Sequence, residues 1–292
     1  MAMRIVLACG GTGGHVFPAL AAGTVLRDEH GAELVVFGRA GELEERLAHA
    51  AGIDFRGIAA VPLHRSRSWR NILLPWTAAR CVRDAMRKLR AEGADAVLAT
   101  GGYVSLPTGI AARILGIPVV VHESNAHPGV ANRIMARIAT RLLVGSPAGA
   151  KAFAPRSAIV VGNPSRARDG RSRDELRKER GLTESDRYLV VIGGSQGARG
   201  INRILAAEIR SILDAGWKVL WQTGPSGIDD ARRAVDGLSG VRVEAFVSDV
   251  YGDFAAADLA FTRAGASTLA ELALFGLPSV LVPFPFATGN HQ

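Results

Sequence analysis

Cysteine is nearly missing from this 292-residue chain. Cys9 and Cys81 stand alone with no paired metal-ligand spacing, which excludes a disulfide-stapled scaffold and a zinc module. Long apolar runs are missing too, none approaching the roughly 18 residues that span a bilayer. The opening MAMRIVLACGG has too short an apolar stretch for a secretion signal and reads as a first strand. What is plentiful is core-forming material: 48% hydrophobic against 21% charged residues excludes a disordered chain. Length and composition together give the expectation of a soluble, intracellular, reduced protein of about two domains.

The formal net charge of +8 is unevenly placed. Residues 1–163 hold 19 basic and 11 acidic side chains, whereas residues 164–292 hold 16 of each. Within the first half, residues 64–90 carry eight basic side chains and one acid, Asp84. Arg65, Arg67, Arg70, Arg80, Arg83, Arg87, Lys88 and Arg90 there surround an apolar cluster of Trp69, Ile72, Leu73, Leu74 and Trp76. Such a cluster ringed by cations suits an anionic membrane surface. The same residues also fit an ordinary helix whose apolar face packs inward while its arginines are solvated. Interleaved stacking aromatics and a recognition motif are absent, so no nucleic-acid partner is expected.

Short β-branched runs alternate with helical patterns throughout. RIVLACG, ELVVFG, AVLATG, PVVVHE, RLLVG and AIVVGN read as strands in the first half, and YLVVIGG, KVLWQTG, VRVEAF, DLAFTR and PSVLVP in the second. Near-continuous apolar strands separated by helices imply parallel sheets covered on both faces. The segment 162–174, GNPSRARDGRSRD, reads as a linker. The expected fold is α/β, with two doubly wound, Rossmann-like domains, 1–163 and 164–292, facing a cleft. PSVLVPFPFATGNHQ stops directly after a strand, where the pattern calls for another helix, so the second domain is expected to be incomplete.

Each half opens with a strand that runs into a glycine-rich turn and then a helix: GGTGGH at 10–15 and GGSQGA at 193–198. Such a turn lets the backbone approach a phosphate, and the helix behind it offers N–H groups and about half a positive charge. Neither turn carries the dinucleotide fingerprint or the P-loop ending. His15 falls on the first turn of its helix, where an imidazole serves as a general base or only orients the loop. Further candidates stand at strand ends: Glu123, Asn125 and Asn132 in HESNAHPGVAN, Tyr103 in GGYVS, and Arg263, Ala266, Thr268 and Glu271 in RAGASTLAE. Glu271 could accept hydrogen bonds from a ribose diol or lie solvated on a surface. No Asp-x-Asp pair occurs, so a sugar transferase built on this chain must hold its leaving diphosphate with helix N-termini, backbone donors and arginine.

GGTGGHVFPALA, GGYVS, HESNAHPGVAN, GNP followed by Arg166, GGSQGAR and RAGASTLAE occur in an order and spacing that resembles the MurG family of bacterial peptidoglycan glycosyltransferases, from residue 4 to residue 292. The resemblance implies a GT-B fold and an inverting transfer of N-acetylglucosamine from its UDP donor to the 4-hydroxyl of lipid-I muramic acid, giving lipid II. It implies His15 as base, with Glu123 as an alternate or orienting carboxylate. Gly11, Thr12, Gly13 and Gly14 would cradle the acceptor diphosphate, with Tyr103 and Asn132 also on the acceptor. Ser195, Gln196, Gly197 and Arg166 would hold the donor diphosphate, to which Thr12, Gly13 and Gly14 also contribute. Val247 would meet uracil through its backbone. Arg263, Ala266, Ser267, Thr268, Leu269 and Glu271 would line the donor, Glu271 on the ribose, with Asn125 and Gln292 on the sugar. The 64–90 segment corresponds to the family's membrane-docking patch. The implied partners are lipid I, an anionic membrane and other cell-wall synthesis proteins. The implied location is peripheral, on the cytoplasmic face of the bacterial cell membrane, and no tightly bound metal or other cofactor is implied.

Two departures stand out. Family members carry a His after the proline of PFP and acids before the closing His-Gln, where this chain has Phe286 and then Ala287-Thr288-Gly289-Asn290. They also continue for several helices, so a chain ending at Gln292 is expected to expose apolar surface and to be poorly active or unstable. Two other readings are a GT-B transferase with a different acceptor and a non-catalytic nucleotide- or membrane-binding protein.

Overall fold

A computed structural model describes residues 2–60, 74–166, 170–194 and 196–285 of the chain. It divides into two compact units, the first running through Arg166 and the second following it.

In the first unit β1 (Arg4–Cys9), β2 (Glu33–Gly38), β3 (Asp54–Gly57), β4 (Ala96–Gly101), β5 (Val119–Glu123), β6 (Arg141–Val144) and β7 (Ile159–Val160) form a parallel sheet in the order β3-β2-β1-β4-β5-β6-β7. The helices between them are α1 (Gly13–His30), α2 (Leu43–Ala50), α3 (Leu74–Glu92), α4 (Ser105–Ile114), α5 (Val130–Met135) and α6 (Pro147–Lys151). Strand side chains alternate between faces, so the run Ile5 to Cys9 serves two cores at once. Ile5, Leu7 and Cys9 pack with Val16, Ala19 and Leu20 of α1 on one face. Val6 and Ala8 pack with Ala85 and Leu89 of α3, Ala111 and Ala112 of α4 and Met135 of α5 on the other. Gly23 sets the approach of α1, because a side chain there would meet Leu7 Cδ1 at 2.6 Å.

The second unit repeats the plan. α7 (Arg173–Glu179) precedes β8 (Arg187–Ile192), α8 (Arg199–Asp214), β9 (Trp217–Gln222), α9 (Ile228–Ala234), β10 (Val241–Glu244), α10 (Val250–Ala256), β11 (Leu259–Arg263), α11 (Ala266–Phe275) and β12 (Ser279–Val282). Its parallel sheet runs β10-β9-β8-β11-β12. Ile201, Leu205 and Ile209 recur every four residues along α8 and bury their side chains on Leu189, Val191 and Trp221, each contributing about 2 kcal/mol of apolar transfer energy. Tyr188 and Val190, on the other face of β8, meet Leu176 of α7, Phe254 of α10 and Leu272 of α11.

Both sheets reverse their strand order once, between β1 and β4 and between β8 and β11. In doubly wound sheets that is where ligands bind, outside the carboxyl ends of the strands. Each glycine-rich turn leaves the sheet at one of these two points. Two elements differ from the sequence reading. β3 was not anticipated, since Asp-Phe-Arg-Gly offers one apolar residue, yet its backbone extends the sheet edge in register with β2, Gly38 opposite Gly57. The run AIVVGN shrinks to the two-residue β7 with both residues exposed, an edge strand paired on one side to β6.

Candidate active site

The first glycine-rich turn is held from three sides. Gly10 backs onto Glu44, a fully buried carboxylate on α2 whose Oε1 accepts the Arg39 amide at 3.0 Å. Gly102, just after β4, lies so near that a side chain there would strike the Gly10 carbonyl. The ring of Tyr103 approaches to within 3.3 Å of where a Gly11 side chain would stand. Beyond the turn, Thr12 precedes the 18-residue α1 in extended conformation, without a capping bond from its side chain and without an acid in the first turn. The positive end of this helix, with Gly13 and Gly14, therefore has no acidic side chain of its own first turn to offset it.

His15 follows on that first turn, half-buried. Its Nδ1 lies 3.1 Å from the Thr100 carbonyl, and the Thr100 hydroxyl donates to the His15 carbonyl at 2.7 Å. Gly101 makes this possible: it sits at φ +113°, and a side chain there would come within 2.8 Å of His15 Nδ1 and 3.2 Å of Asn132 Nδ2. Burial lowers the imidazole pKa below its usual 6.5, against the upward pull of the Glu123 charge and the Thr100 bond. The ring is therefore neutral near pH 7 and able to accept a proton.

Glu123 closes β5 and is 1% exposed. Its Oε1 accepts from the Asn125 amide at 2.8 Å and from Asn125 Nδ2 at 3.1 Å, and its Oε2 from the Gly129 amide at 3.2 Å and from Asn132 Nδ2 at 3.0 Å. The fold thus brings Gly11 to His15, Tyr103, Glu123, Asn125 and Asn132 to one edge of the first sheet. Gly162 and Asn163 return to the same edge, where His122 Nε2 donates to the Gly162 carbonyl at 2.9 Å and Asn163 Nδ2 to the Ser124 carbonyl at 3.4 Å. Arg166 is exposed at the end of this unit.

In the second unit the turn after β8 is organised by a residue the sequence reading overlooked. Gln222, 3% exposed at the end of β9, accepts the Gly193 amide at 2.9 Å and donates to the carbonyls of Gly194 at 3.0 Å and Ala245 at 2.9 Å. One amide side chain so fixes the glycine turn and the loop after β10 that carries exposed Phe246 and buried Val247. Its only signal in the sequence is a polar residue closing an otherwise apolar strand, WKVLWQ. Gln196 is exposed, and Gly197, at φ +75°, packs so closely on the Thr223 carbonyl that a side chain has no room. The 16-residue α8 starts without a side-chain cap or an acid in its first turn, as α11 does. On α11, Ala266, Ser267 and Thr268 are half-buried, Leu269 is exposed, and Glu271 accepts from the Tyr251 hydroxyl at 3.4 Å. Arg263 donates to the Pro283 carbonyl at 3.1 Å and lies 5.6 Å from the centre of the Phe284 ring. Ser195 and Gln292 lie outside the described residues.

Arg65, Trp69, Ile72 and Leu73 also lie outside the described residues, and Leu74 opens α3. On α3 Cys81, Ala85 and Leu89 are buried, while Arg80, Arg83, Arg87 and Arg90 are exposed and Trp76 is 70% exposed. Among the described residues no helix is long and apolar enough to cross a membrane. Nor do three His, Cys, Asp or Glu side chains among them gather as around a metal ion.

The two parallel α/β units, with uncapped helix starts at their switch points, match the two domains of a glycosyltransferase of the GT-B fold. The Glycosyltransferase family 28 N-terminal domain matches residues 5–144 and the family 28 C-terminal domain residues 188–292. A UDP-N-acetylglucosamine–N-acetylmuramyl-(pentapeptide) pyrophosphoryl-undecaprenol N-acetylglucosamine transferase of Halorhodospira halophila is 41% identical over 100% of this chain and 81% of its own length. A relative of the same name from Moorella thermoacetica is 38% identical over 99% of this chain and 81% of its own. The crystal structure of MurG from Acinetobacter baumannii superposes with a TM-score of 0.72 at 28% identity, covering 99% of this chain and 80% of that one. The chain belongs to the MurG family.

Proposed function

We propose that the protein transfers N-acetylglucosamine from UDP-N-acetylglucosamine to the 4-hydroxyl of the muramic acid of lipid I, forming lipid II and UDP. The observation that carries this reading is the neutral, half-buried His15 beside the open start of α1, at the switch point of the first sheet. In an inverting single displacement His15 takes the proton of the acceptor hydroxyl, the hydroxyl oxygen attacks the anomeric carbon, and the sugar–phosphate bond breaks with its electron pair leaving on UDP. Gly11 to Gly14 and the α1 N-terminus hold the acceptor diphosphate, flanked by Tyr103 and Asn132. The turn at 193–198, with Arg166, and the starts of α8 and α11 hold the donor diphosphate, stabilising charge without an Asp-x-Asp metal pair. Glu123 has its lone pairs filled by four donors, which supports an orienting role: it shapes the 124–132 loop and stabilises the imidazolium by charge.

The exposed arginines of α3, with Trp76, fit the surface of an anionic membrane, as the undecaprenyl tail of the acceptor requires. These residues support a peripheral association with the membrane, and the proposed location is its cytoplasmic face.

The test is an assay of UDP release with and without a lipid-linked muramyl acceptor. Release is expected only with the acceptor, and His15→Ala should lower kcat by roughly 10²–10⁴. Turnover with an unrelated acceptor and indifference to lipid I would overturn the assignment, and near-normal turnover of the variant would remove His15 as base.

A further inference from the structure

Thr100 and His15 are joined twice, ring to backbone and side chain to backbone. The His15 ring meets the Thr100 carbonyl through Nδ1 at 3.1 Å, and the Thr100 hydroxyl donates to the His15 carbonyl at 2.7 Å. A carbonyl oxygen only accepts, so the proton of the neutral ring is on Nδ1 and its single lone pair is on Nε2. We propose that Thr100 is the positioning residue of the base, holding His15 in the tautomer whose Nε2 receives the acceptor proton. This rests on the assignment of His15 as base.

Thr100 is suited to the task. It is 1% exposed near the end of β4, at the bulge where the pairing to β1 passes from Ala8–Ala99 to Cys9–Gly101, which leaves its carbonyl to the His15 ring. The hydroxyl bond adds a second donor to a carbonyl that already belongs to α1, which locks the backbone of His15 as well as its ring. Glycine at position 101 removes the side chain that would otherwise come between ring and strand. When Nε2 takes the proton, both ring nitrogens become donors and the Nδ1–H bond to Thr100 is kept, so nothing on that side reorganises. A backbone carbonyl here does what a buried carboxylate does in a His–Asp pair, orienting the ring without taking its proton.

Two measurements test this. In ¹⁵N-labelled protein, at a pH where the ring is neutral, long-range ¹H–¹⁵N correlation spectra report which nitrogen of His15 is protonated, with His15→Gln identifying its signals. The wild-type protein should show the proton on Nδ1. Thr100→Val, which keeps the carbonyl and deletes the hydroxyl, should keep the proton on Nδ1 but loosen the His15 backbone, broadening the ring signals and lowering kcat by about tenfold, with KM for both substrates within about twofold. Thr100→Ser should restore both. A wild-type ring protonated on Nε2 overturns the proposal without any variant, even if Thr100→Val does not fold. Unchanged ring signals and kcat in Thr100→Val overturn it as well. If the proton is on Nδ1 but His15→Gln turns over normally, the assignment of the base fails instead.

Discussion

Glu123 Oε2 accepts from Asn132 Nδ2 at 3.0 Å, a bond between the end of β5 and α5 made beside the position where Gly101 gives room to His15. The Glu123 charge also acts on His15, the proposed base. Burial lowers the His15 pKa and the Glu123 charge raises it, with burial the larger effect. Because only the neutral ring can take a proton, activity should persist as pH falls below 6.5, the ordinary imidazole value.

Glu123→Gln removes the upward pull, so the acid limb of kcat/KM should move to still lower pH. Its amide NH₂ would also face donors of Asn125, Gly129 or Asn132, so the plateau should fall. The measurement is the pH profile of kcat/KM for both proteins. A wild-type limb above 6.5, or a limb that moves upward in the variant, would contradict the electrostatic account.

The second unit contains a buried charge cluster with a structural consequence. Asp253, 2% exposed, accepts from Arg180 Nε at 2.6 Å, the Tyr188 hydroxyl at 2.9 Å and Arg242 at 3.1 Å. Burial beside this carboxylate pushes the Tyr188 phenol pKa upward. Asp253→Ala leaves the Arg180 guanidinium paired with Asp249 at 3.0 Å but without its bond at Nε, and the Tyr188 hydroxyl without its acceptor, and should cost about 1–3 kcal/mol. Urea unfolding would register it as a lower midpoint at unchanged slope. A loss below about 1 kcal/mol would mean that solvent already screens the cluster.

The parts of this site that are contiguous in the chain were readable from it. GGTGGH announces a turn and helix start because only glycines tolerate the close backbone, and PVVVHE followed by SNAHPGVAN announces a strand end with amides behind it. What could not be read are contacts between strands. Thr100 looks like any threonine in AVLATG until the sheet places it against His15, and Gln222 matters only because β9 lies between β8 and β10. β3 escaped for the opposite reason: its pairing comes from backbone hydrogen bonds, which leave no trace in side-chain periodicity.

Exposed charge on α3 gives a prediction for membrane binding. Arg80 and Arg83 are exposed on the face opposite buried Cys81, Ala85 and Leu89. Near an anionic surface each basic residue contributes about 1 kcal/mol. Arg80→Glu with Arg83→Glu should therefore weaken co-sedimentation with phosphatidylglycerol-containing vesicles by at least about 30-fold at low salt. Wild-type binding should itself weaken as salt screens the interaction. Salt-insensitive binding kept by the double variant would refute the docking face.

The proposed ribose contact of Glu271 gives a prediction that separates donor binding from chemistry. It stands in the second turn of α11, half-buried, with Oε1 3.4 Å from the Tyr251 hydroxyl. A carboxylate that accepts from a ribose diol makes the same bonds in the ground state and the transition state, because the ribose does not change during transfer. Glu271→Ala should therefore raise KM for UDP-N-acetylglucosamine by about 10- to 100-fold, the value of charged hydrogen bonds of about 1.5–3 kcal/mol. Its kcat at saturating donor should stay within about twofold of wild type, with KM for the lipid acceptor unchanged. Steady-state kinetics with each substrate varied in turn separates these parameters. A loss confined to kcat at saturating donor would take Glu271 off the ribose and place it at the reacting centre.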